Sequence, residues 1–186
     1  MNVRLRVPSM TRDQFLHWAV QQEAPYEFDG FEPVPMTGGT RRHGRICVNL
    51  LTAIQARLHD GPFEVLMEAG VATVGDAVRY PDIAIMLAGG DPNDRLMPDV
   101  IVVFEVVSPN TSRLDRTIKL REYRAVPAIR RYVIVDCAAP DLAVYARLDG
   151  QSEWTATTCL EGETLSMPEI RLELAVGEIF AGITFD

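Results

Sequence analysis

The sequence predicts an α+β protein in which a mixed β-sheet is flanked by helices. Three observations lead to this fold class. The run Ile101–Val107 is apolar except for one acid, which is typical of a strand buried on both faces of a sheet. Two stretches, Thr40–Leu58 and Ser112–Ala125, repeat apolar residues at helical spacing. Short strand patterns bounded by Gly, Pro and Asp lie before, between and after these helices.

The length and composition are those of one folded domain. A chain of 186 residues, 47% of them apolar, can bury a sizeable core and is unlike a disordered chain. We therefore predict a single domain over residues 1–186, with residues 1–10 as an N-terminal arm. The sequence has no signal core and no apolar run that could span a bilayer. With three widely spaced cysteines and no CxxC pair, this predicts a cytoplasmic protein without a membrane partner.

The first third of the chain predicts a helix, a hairpin and a second helix. Thr11 and Gln14 fit a capping box, and the helix that they start is predicted to end at Pro25. Tyr26–Glu32 alternates around an Asp-Gly pair, which is a strong hairpin signal. The second helix, Thr40–Leu58, follows two glycines and carries one apolar stripe.

The rest of the chain predicts many strands and one long helix. Ala88–Pro98 is rich in Gly, Asp, Pro and Asn and is predicted to be a loop between two strands. The third helix, Ser112–Ala125, is ended by Pro127. A short closing helix is predicted at Ala175–Ala181. Strands, including extra C-terminal ones, are predicted at Phe63–Met67, Val71–Val74, Tyr80–Leu87, Ile101–Val107, Arg131–Val135, Leu142–Arg147, Trp154–Thr158, Thr164–Ser166 and Ile170–Leu174.

Basic charge is concentrated in two helices although the chain is acidic, with a formal net charge of −8. Residues 113–131 carry seven cations and two acids, and residues 40–58 carry four arginines and no acid. Such stretches can attract a polyanion in spite of the net charge, or they can be solvated helix faces. The candidate phosphate contacts on these helices are Arg41, Arg42, Arg45, Arg113 and Arg116.

Two acids lie inside strand patterns and are predicted to meet. If Tyr80–Leu87 and Ile101–Val107 pair antiparallel about the middle of their loop, Asp82 lies directly opposite Glu105. Opposed side chains have Cβ atoms about 4.5–5.5 Å apart. Two carboxylates this close are tolerated if one is protonated or if a cation lies between them. Oxygen ligands of this kind favour Mg²⁺ or Mn²⁺.

The third helix carries a further candidate residue, Lys119. Asp115, Lys119 and Tyr123 follow one another at a spacing of four residues, so they share one helix face. Each residue also has a structural interpretation. Asp82 can simply open its strand, Glu105 can belong to a buried salt bridge, and Lys119 can pair with Asp115. For Tyr123 the structural interpretation is packing against its neighbours. For Glu27 it is exposure to solvent, and for His43 it is a position on the surface or at a helix cap.

The same residues resemble the Uma family, which is associated with restriction endonucleases and belongs to the PD-(D/E)XK nuclease superfamily. The resemblance runs from about Phe15 to Tyr145, and its most specific part is Pro98–Thr111, with Glu105 at its centre. The other matching elements are Tyr80–Ile85, Asp115, Lys119, Tyr123, Arg131–Asp136, the hairpin Tyr26–Gly30, His43-Gly44 and Leu50.

The resemblance implies a restriction-endonuclease-like core and a metal-dependent endonuclease that hydrolyses DNA. In it, Asp82 and Glu105 match the two acids that hold Mg²⁺ or Mn²⁺, with a main-chain carbonyl near Val106. Lys119 matches the catalytic lysine, supplied here from the following helix. The position where the superfamily usually has this lysine is Val107, which is a departure from its pattern. Supporting roles fall to Glu27, Asp115 and Tyr123.

Two other functions remain open from the sequence. A nuclease fold without activity can bind nucleic acid or a protein, and both Val107 and the net charge of −8 favour this alternative. A structural scaffold with Glu105 in a salt bridge is the second alternative. A homodimer is expected, because nucleases of this kind often cut two strands as a pair.

Overall fold

The computed structural model describes residues 9–108, 113–147 and 153–185, and the side chains of residues 113 and 114 are not among the described groups. The helices are α1 (Arg12–Ala19), α2 (Arg41–Leu58), α3 (Arg113–Ala125) and α4 (Val176–Ile179). The strands are β1 (Tyr26–Phe28), β2 (Pro33–Pro35), β3 (Phe63–Met67), β4 (Val71–Ala72), β5 (Val78–Arg79), β6 (Ile83–Leu87), β7 (Val100–Val107), β8 (Arg131–Asp136), β9 (Leu142–Ala146), β10 (Thr155–Cys159), β11 (Thr164–Met167) and β12 (Leu172–Ala175).

A six-stranded mixed sheet forms the centre of the fold, in the order β10-β9-β8-β7-β6-β3. Strand β7 pairs antiparallel with β6 and parallel with β8, and α3 connects the two parallel strands. This confirms the predicted α+β class with a mixed sheet. Strand β7 lies inside the sheet and is buried along almost its whole length, as its apolar sequence predicted.

The two faces of the sheet pack against different helices. Phe104 and Val106 belong to a core cluster with α2, α4 and the C-terminal strands. Val103 and Val107 belong to a second cluster, which includes Tyr123 of α3. Because successive side chains of a strand point to opposite faces, Glu105 lies on the same face as Val103 and Val107, towards α3.

The register between β6 and β7 is the one predicted from the sequence. Ile83 pairs with Phe104, and Ile85 pairs with Val102. Continued by one residue, this register brings Asp82 opposite Glu105. A shift occurs only between Ile85 and Met86, on the side away from the acids.

A second sheet carries the N-terminal hairpin to the edge of the site. Its order is β2-β1-β5-β4, and β1 pairs with both β2 and β5. The predicted hairpin is confirmed: Asp29 Oδ1 accepts hydrogen bonds from the N–H groups of Phe31 and Glu32 at 2.8 Å, and Gly30 has a positive φ of 86°. Pairing of Phe28 with Val78 brings the hairpin alongside β5.

Several element boundaries differ from the predictions. Helix α1 begins at the predicted Thr11 cap but ends at Ala19, because the following N–H groups form tighter turns to Trp18 and Ala19. The strand predicted over Tyr80–Leu87 begins only at Ile83, since the Tyr-Pro-Asp segment before it leaves the ladder. The segments predicted as strands near Val74 and Ile170 contain 3₁₀ turns. The predicted start of α3 at Ser112 lies outside the described residues.

None of the helices within the described ranges is both long enough and apolar enough to cross a bilayer.

Candidate active site

The side chains of Asp82, Glu105 and Lys119 line one cavity of about 370 Å³. It lies where β6 and β7 meet the first turns of α2 and α3. The other polar or charged residues that line it are Glu27, Thr37, His43, Tyr80, Ser108, Asp115, Arg116 and Tyr132. The convergence required by the sequence hypothesis is therefore present.

Glu105 is a buried acid of the site, with 7% of its surface exposed. Its Oε1 accepts a hydrogen bond from the Tyr123 hydroxyl at 2.9 Å and contacts Lys119 Nζ at 3.2 Å. Within the described residues, its second oxygen, Oε2, has no hydrogen bond. Burial, together with the nearby carboxylates of Asp82 and Glu27, raises the pKa of Glu105 to about 7, although Lys119 and Tyr123 oppose the shift.

Lys119 reaches this acid from α3 and holds two carboxylates at once. Its Nζ lies 3.1 Å from Glu27 Oε1 as well as 3.2 Å from Glu105 Oε1. Burial alone would lower the pKa of this ammonium group. The carboxylates of Glu105, Glu27 and Asp115 outweigh that effect and raise the pKa of Lys119, so it is a cation at neutral pH.

Asp82 is fixed by a main-chain donor and a histidine. The N–H of Val106 donates to its Oδ2 at 2.7 Å, and His43 Nε2 lies 3.1 Å from its Oδ1. The hydrogen bond with Asp82, followed by that with Cys47, raises the pKa of His43 to about 10. Metal-free His43 is therefore an imidazolium that neutralises the acid opposite Glu105.

His43 is the site residue that sequence reasoning did not assign to the site. It lies three residues after Thr40, whose hydroxyl accepts a hydrogen bond from the His43 N–H at 3.2 Å and caps α2. This cap fixes the first turn, so that the imidazole points towards Asp82. Its ring also lies 3.7 Å, through Nδ1, from the sulfur of Cys47 one turn later. The available signal was the match of His43-Gly44 to the second helix of the family.

Glu27 is buried, with 7% exposure, and so the solvent-facing interpretation is wrong. The hairpin pairing places it beside β5, where its Oε2 accepts from Arg79 at 3.1 Å and its Oε1 is near the Tyr80 N–H at 3.4 Å. Arg79 also binds Glu122 of α3 through two hydrogen bonds of 2.6 and 2.8 Å. This buried network ties the hairpin and α3 together behind the cavity.

The two other residues of the α3 stripe act in different ways. Tyr123 is fully buried, and its hydroxyl bonds Glu105 rather than Lys119. Asp115 lines the cavity near Lys119 and contributes to the raised pKa of that lysine.

The four predicted phosphate-binding arginines whose side chains are described differ in their surroundings. Arg41 and Arg45 are exposed on the first turns of α2. Arg42 donates to the carbonyls of Cys137 and Thr184, so its guanidinium is engaged within the protein. Arg116 lines the cavity, with its Nη2 3.4 Å from the Ser108 carbonyl oxygen. The prediction for the Arg113 side chain lies outside the described residues.

We predict that Tyr123→Phe destabilises the protein by about 1.5–3 kcal/mol at pH 9, because a buried hydrogen bond to an ionised group is lost. The effect is smaller at pH 5. The pKa of Glu105 is about 7, so the carboxylate that accepts the bond is ionised only at the higher pH. Urea unfolding of chelator-treated protein at the two pH values measures the difference. Tyr132→Phe is the control: that hydroxyl makes no hydrogen bond with the described residues. Equal losses for Tyr123→Phe at both pH values would contradict the prediction.

Known proteins resemble this chain in both sequence and fold. The sequence model of Uma2, whose description reads "Putative restriction endonuclease", matches residues 12–179. The chain belongs to the Uma2 family. Two similar proteins from Synechocystis sp. are named uncharacterized. One, slr1290, is 27% identical over 184 residues, covering 96% of this chain and 95% of its own. The other, sll1609, is 22% identical over 154 residues, covering 80% and 86%.

The fold is shared with a solved protein, a "putative nuclease belonging to DUF820" from Anabaena variabilis. The TM-score is 0.72 at 18% identity, over 92% of this chain and 98% of that one. This likeness confirms the predicted nuclease-like α+β fold. The Uma2 description and this fold together support a nuclease.

Proposed function

We propose that this Uma2 protein is an endonuclease that hydrolyses phosphodiester bonds of DNA with Mg²⁺ or Mn²⁺. The observation that carries the proposal is the meeting of Asp82, Glu105 and Lys119 in one cavity. Two acids and a cation in a pocket are the groups that phosphodiester hydrolysis requires, because charge develops on the phosphate and water must be activated.

The residues present fit a hard divalent cation. In the described part of the cavity, four carboxylates face two basic side chains and His43, so negative charge is in excess. Among the described residues, no donor bonds Glu105 Oε2. Burial, followed by the carboxylates of Asp82 and Glu27, raises the pKa of Glu105. Carboxylate oxygens are the ligands that Mg²⁺ and Mn²⁺ prefer. Asp82 and Glu105 would hold the ion, which when bound polarises a phosphate oxygen and lowers the pKa of a water.

The surrounding residues keep the two acids in position. The Val106 N–H and His43 hold Asp82, while Tyr123 orients Glu105 and leaves Oε2 facing no other donor among the described residues. Side chains held from more than one direction lose little entropy on binding, which favours a preformed site.

Lys119 would stabilise the negative charge that grows on the phosphate. Because its pKa is raised, it remains protonated and does not serve as a general base at neutral pH. Val107, at the position where the superfamily usually has its lysine, packs with 5% exposure against the apolar cluster below α3. A lysine from the helix above the strand can reach the same carboxylate, which accounts for the departure from the usual motif.

We predict that Lys119→Met lowers the rate of metal-dependent cleavage about 100-fold, the size of effect typical of losing one preorganised charge-stabilising donor. Steady-state nicking of supercoiled DNA, with kcat and KM separated, measures it. Arg121→Met, which removes an exposed cation from the same helix, should remain within a few-fold of the wild type. Equal rates for the Lys119→Met variant and the wild type would refute this role for the lysine.

DNA would approach over the exposed start of α2 and the mouth of the cavity. Arg41 and Arg45 are free to contact phosphates from solvent, whereas Arg116 is positioned at the cavity itself. Such contacts give affinity without sequence information. A homodimer would supply two such sites for the two strands, and light scattering measures the oligomeric state.

The decisive experiment incubates purified protein with plasmid and linear DNA in Mg²⁺, Mn²⁺ or chelator. Nicking that requires either metal supports the proposal. DNA binding without cleavage under any condition would replace it with the alternative of a binding module on a nuclease fold. Absence of both binding and cleavage would refute both functions.

A further inference from the structure

Cys47 is a buried residue that the proposed function does not use, although it lies beside His43 and Asp82. Its thiol is 2% exposed, and it lies on α2 one turn after His43. Residues four apart share a helix face, so the thiol and the imidazole point the same way. Asp82 approaches from the segment before β6, and it contacts the same ring.

Three different donor atoms meet in one cluster. They are a ring nitrogen of His43, the sulfur of Cys47 and a carboxylate oxygen of Asp82, and all three lie within 4.8 Å of one another. A tetrahedral Zn²⁺, bound at about 2.0–2.3 Å, requires its ligand atoms to be about 3.3–3.7 Å apart. A separation of 4.8 Å, the upper limit in this cluster, would have to shrink by about 1.1–1.5 Å, which side-chain rotation can supply. Since the ring contacts Cys47 through Nδ1 and Asp82 through Nε2, binding would reorient the imidazole so that one nitrogen faces the ion. The His43 imidazolium and the Cys47 thiol would each release a proton to solvent as the ion binds.

The donor set differs in chemical preference from the pair of acids. Thiolate and imidazole select Zn²⁺ and other thiophilic metals, whereas Mg²⁺ takes oxygen ligands almost exclusively. Three protein ligands with a fourth position towards a cavity are the usual composition of an open zinc site. His43 and Asp82 both line the 370 Å³ cavity, so that position is open to water.

We infer that His43, Cys47 and Asp82 form a second cation site, selective for Zn²⁺, beside the pair of acids. The site shares Asp82 with the proposed Mg²⁺ or Mn²⁺ centre. If the proposed function holds, on which this consequence rests, Zn²⁺ competes with the activating metal by capturing Asp82. Zinc would then inhibit cleavage through a cysteine that takes no part in the reaction.

Metal binding tests the site without any activity measurement. Co²⁺, which replaces Zn²⁺ and reports its ligands by absorption, should give a thiolate-to-cobalt charge-transfer band with one ion per chain. Cys47→Ser should abolish the band and weaken Zn²⁺ binding in calorimetry by at least about 10-fold, since loss of even a hydrogen-bond partner of a metal ligand costs about 10–100-fold. Cys159→Ser, which removes another buried cysteine from a distant strand, should bind both metals like the wild type.

The outcomes separate this inference from the proposed function. A wild type that gives no thiolate band, or a Cys47→Ser variant that binds as tightly as the wild type, would overturn the zinc site. A His43→Gln variant tests the same site in case Cys47→Ser does not fold. It keeps the thiol and should also lose tight Zn²⁺ binding. A protein that shows the cobalt band but never cleaves DNA supports the zinc site while refuting the nuclease. In an active protein, the ratio of cleavage rates with and without added Zn²⁺ should rise towards one in Cys47→Ser.

Discussion

Asp82→Asn is expected to lower the rate of Mg²⁺- or Mn²⁺-dependent DNA cleavage by about 1,000-fold. The amide keeps the volume of the side chain and can still accept from the Val106 N–H. It removes the negative charge that, with Glu105, would hold the cation. A bound cation is worth several kcal/mol of stabilisation in the transition state, and each 1.36 kcal/mol is a factor of ten in rate.

The matched control is Asp60→Asn. Asp60 follows α2, and its side chain is 89% exposed, so its loss changes the net charge equally without touching the cavity. Its cleavage rate should equal that of the wild type. Calorimetric titration with Mn²⁺ should show weakened binding for Asp82→Asn only. Full activity and unchanged Mn²⁺ affinity in Asp82→Asn would remove the proposed metal centre.

Arg79→Met is expected to lower the free energy of unfolding by about 3–5 kcal/mol, the largest stability effect that we predict. Arg79 is 4% exposed and is the cation shared by two buried acids, Glu27 and Glu122. Methionine retains the apolar stem but leaves both carboxylates without this partner. Burial of an uncompensated charge is more costly than the net value of an intact pair.

Arg57→Met provides the comparison for that measurement. Arg57 pairs with Glu178 at 2.7 Å, but both side chains are substantially exposed. Exposed pairs contribute about 0–1 kcal/mol, so this variant should unfold close to the wild-type urea midpoint. A loss of less than 1 kcal/mol for Arg79→Met would show that Glu27 and Glu122 can become protonated or solvated at little cost. A double variant with Glu122→Gln should recover part of the loss.

Local sequence patterns were sufficient for most of the fold. The capping residues Thr11 and Thr40 start the helices where they were predicted, because a side-chain acceptor at the N-cap is a local requirement. The apolar run of β7 predicted its burial on both faces. The end of α1 and the division between β5 and β6 were missed, because competition between helix, turn and strand at those points depends on distant partners.

The pairing of the two acids was also predictable. A loop between two antiparallel strands limits the register, and alternation of side chains then decides which residues share a face. Asp82 and Glu105 were brought together by this reasoning alone. The lysine was assigned only through the family resemblance, since nothing in the spacing of α3 says which stripe faces the sheet.

The sequence by itself determined most of the elements, the mixed sheet and the register that brings Asp82 opposite Glu105, because these depend on periodicity and on neighbours close along the chain. The tertiary structure alone decided which side chains complete the site. His43 and Asp82 lie 39 positions apart, and Arg79 reaches Glu27 and Glu122 across 52 and 43 positions. Such contacts depend on how whole elements pack. The local sequence around a histidine, a glutamate or a cysteine does not indicate which distant residue it contacts.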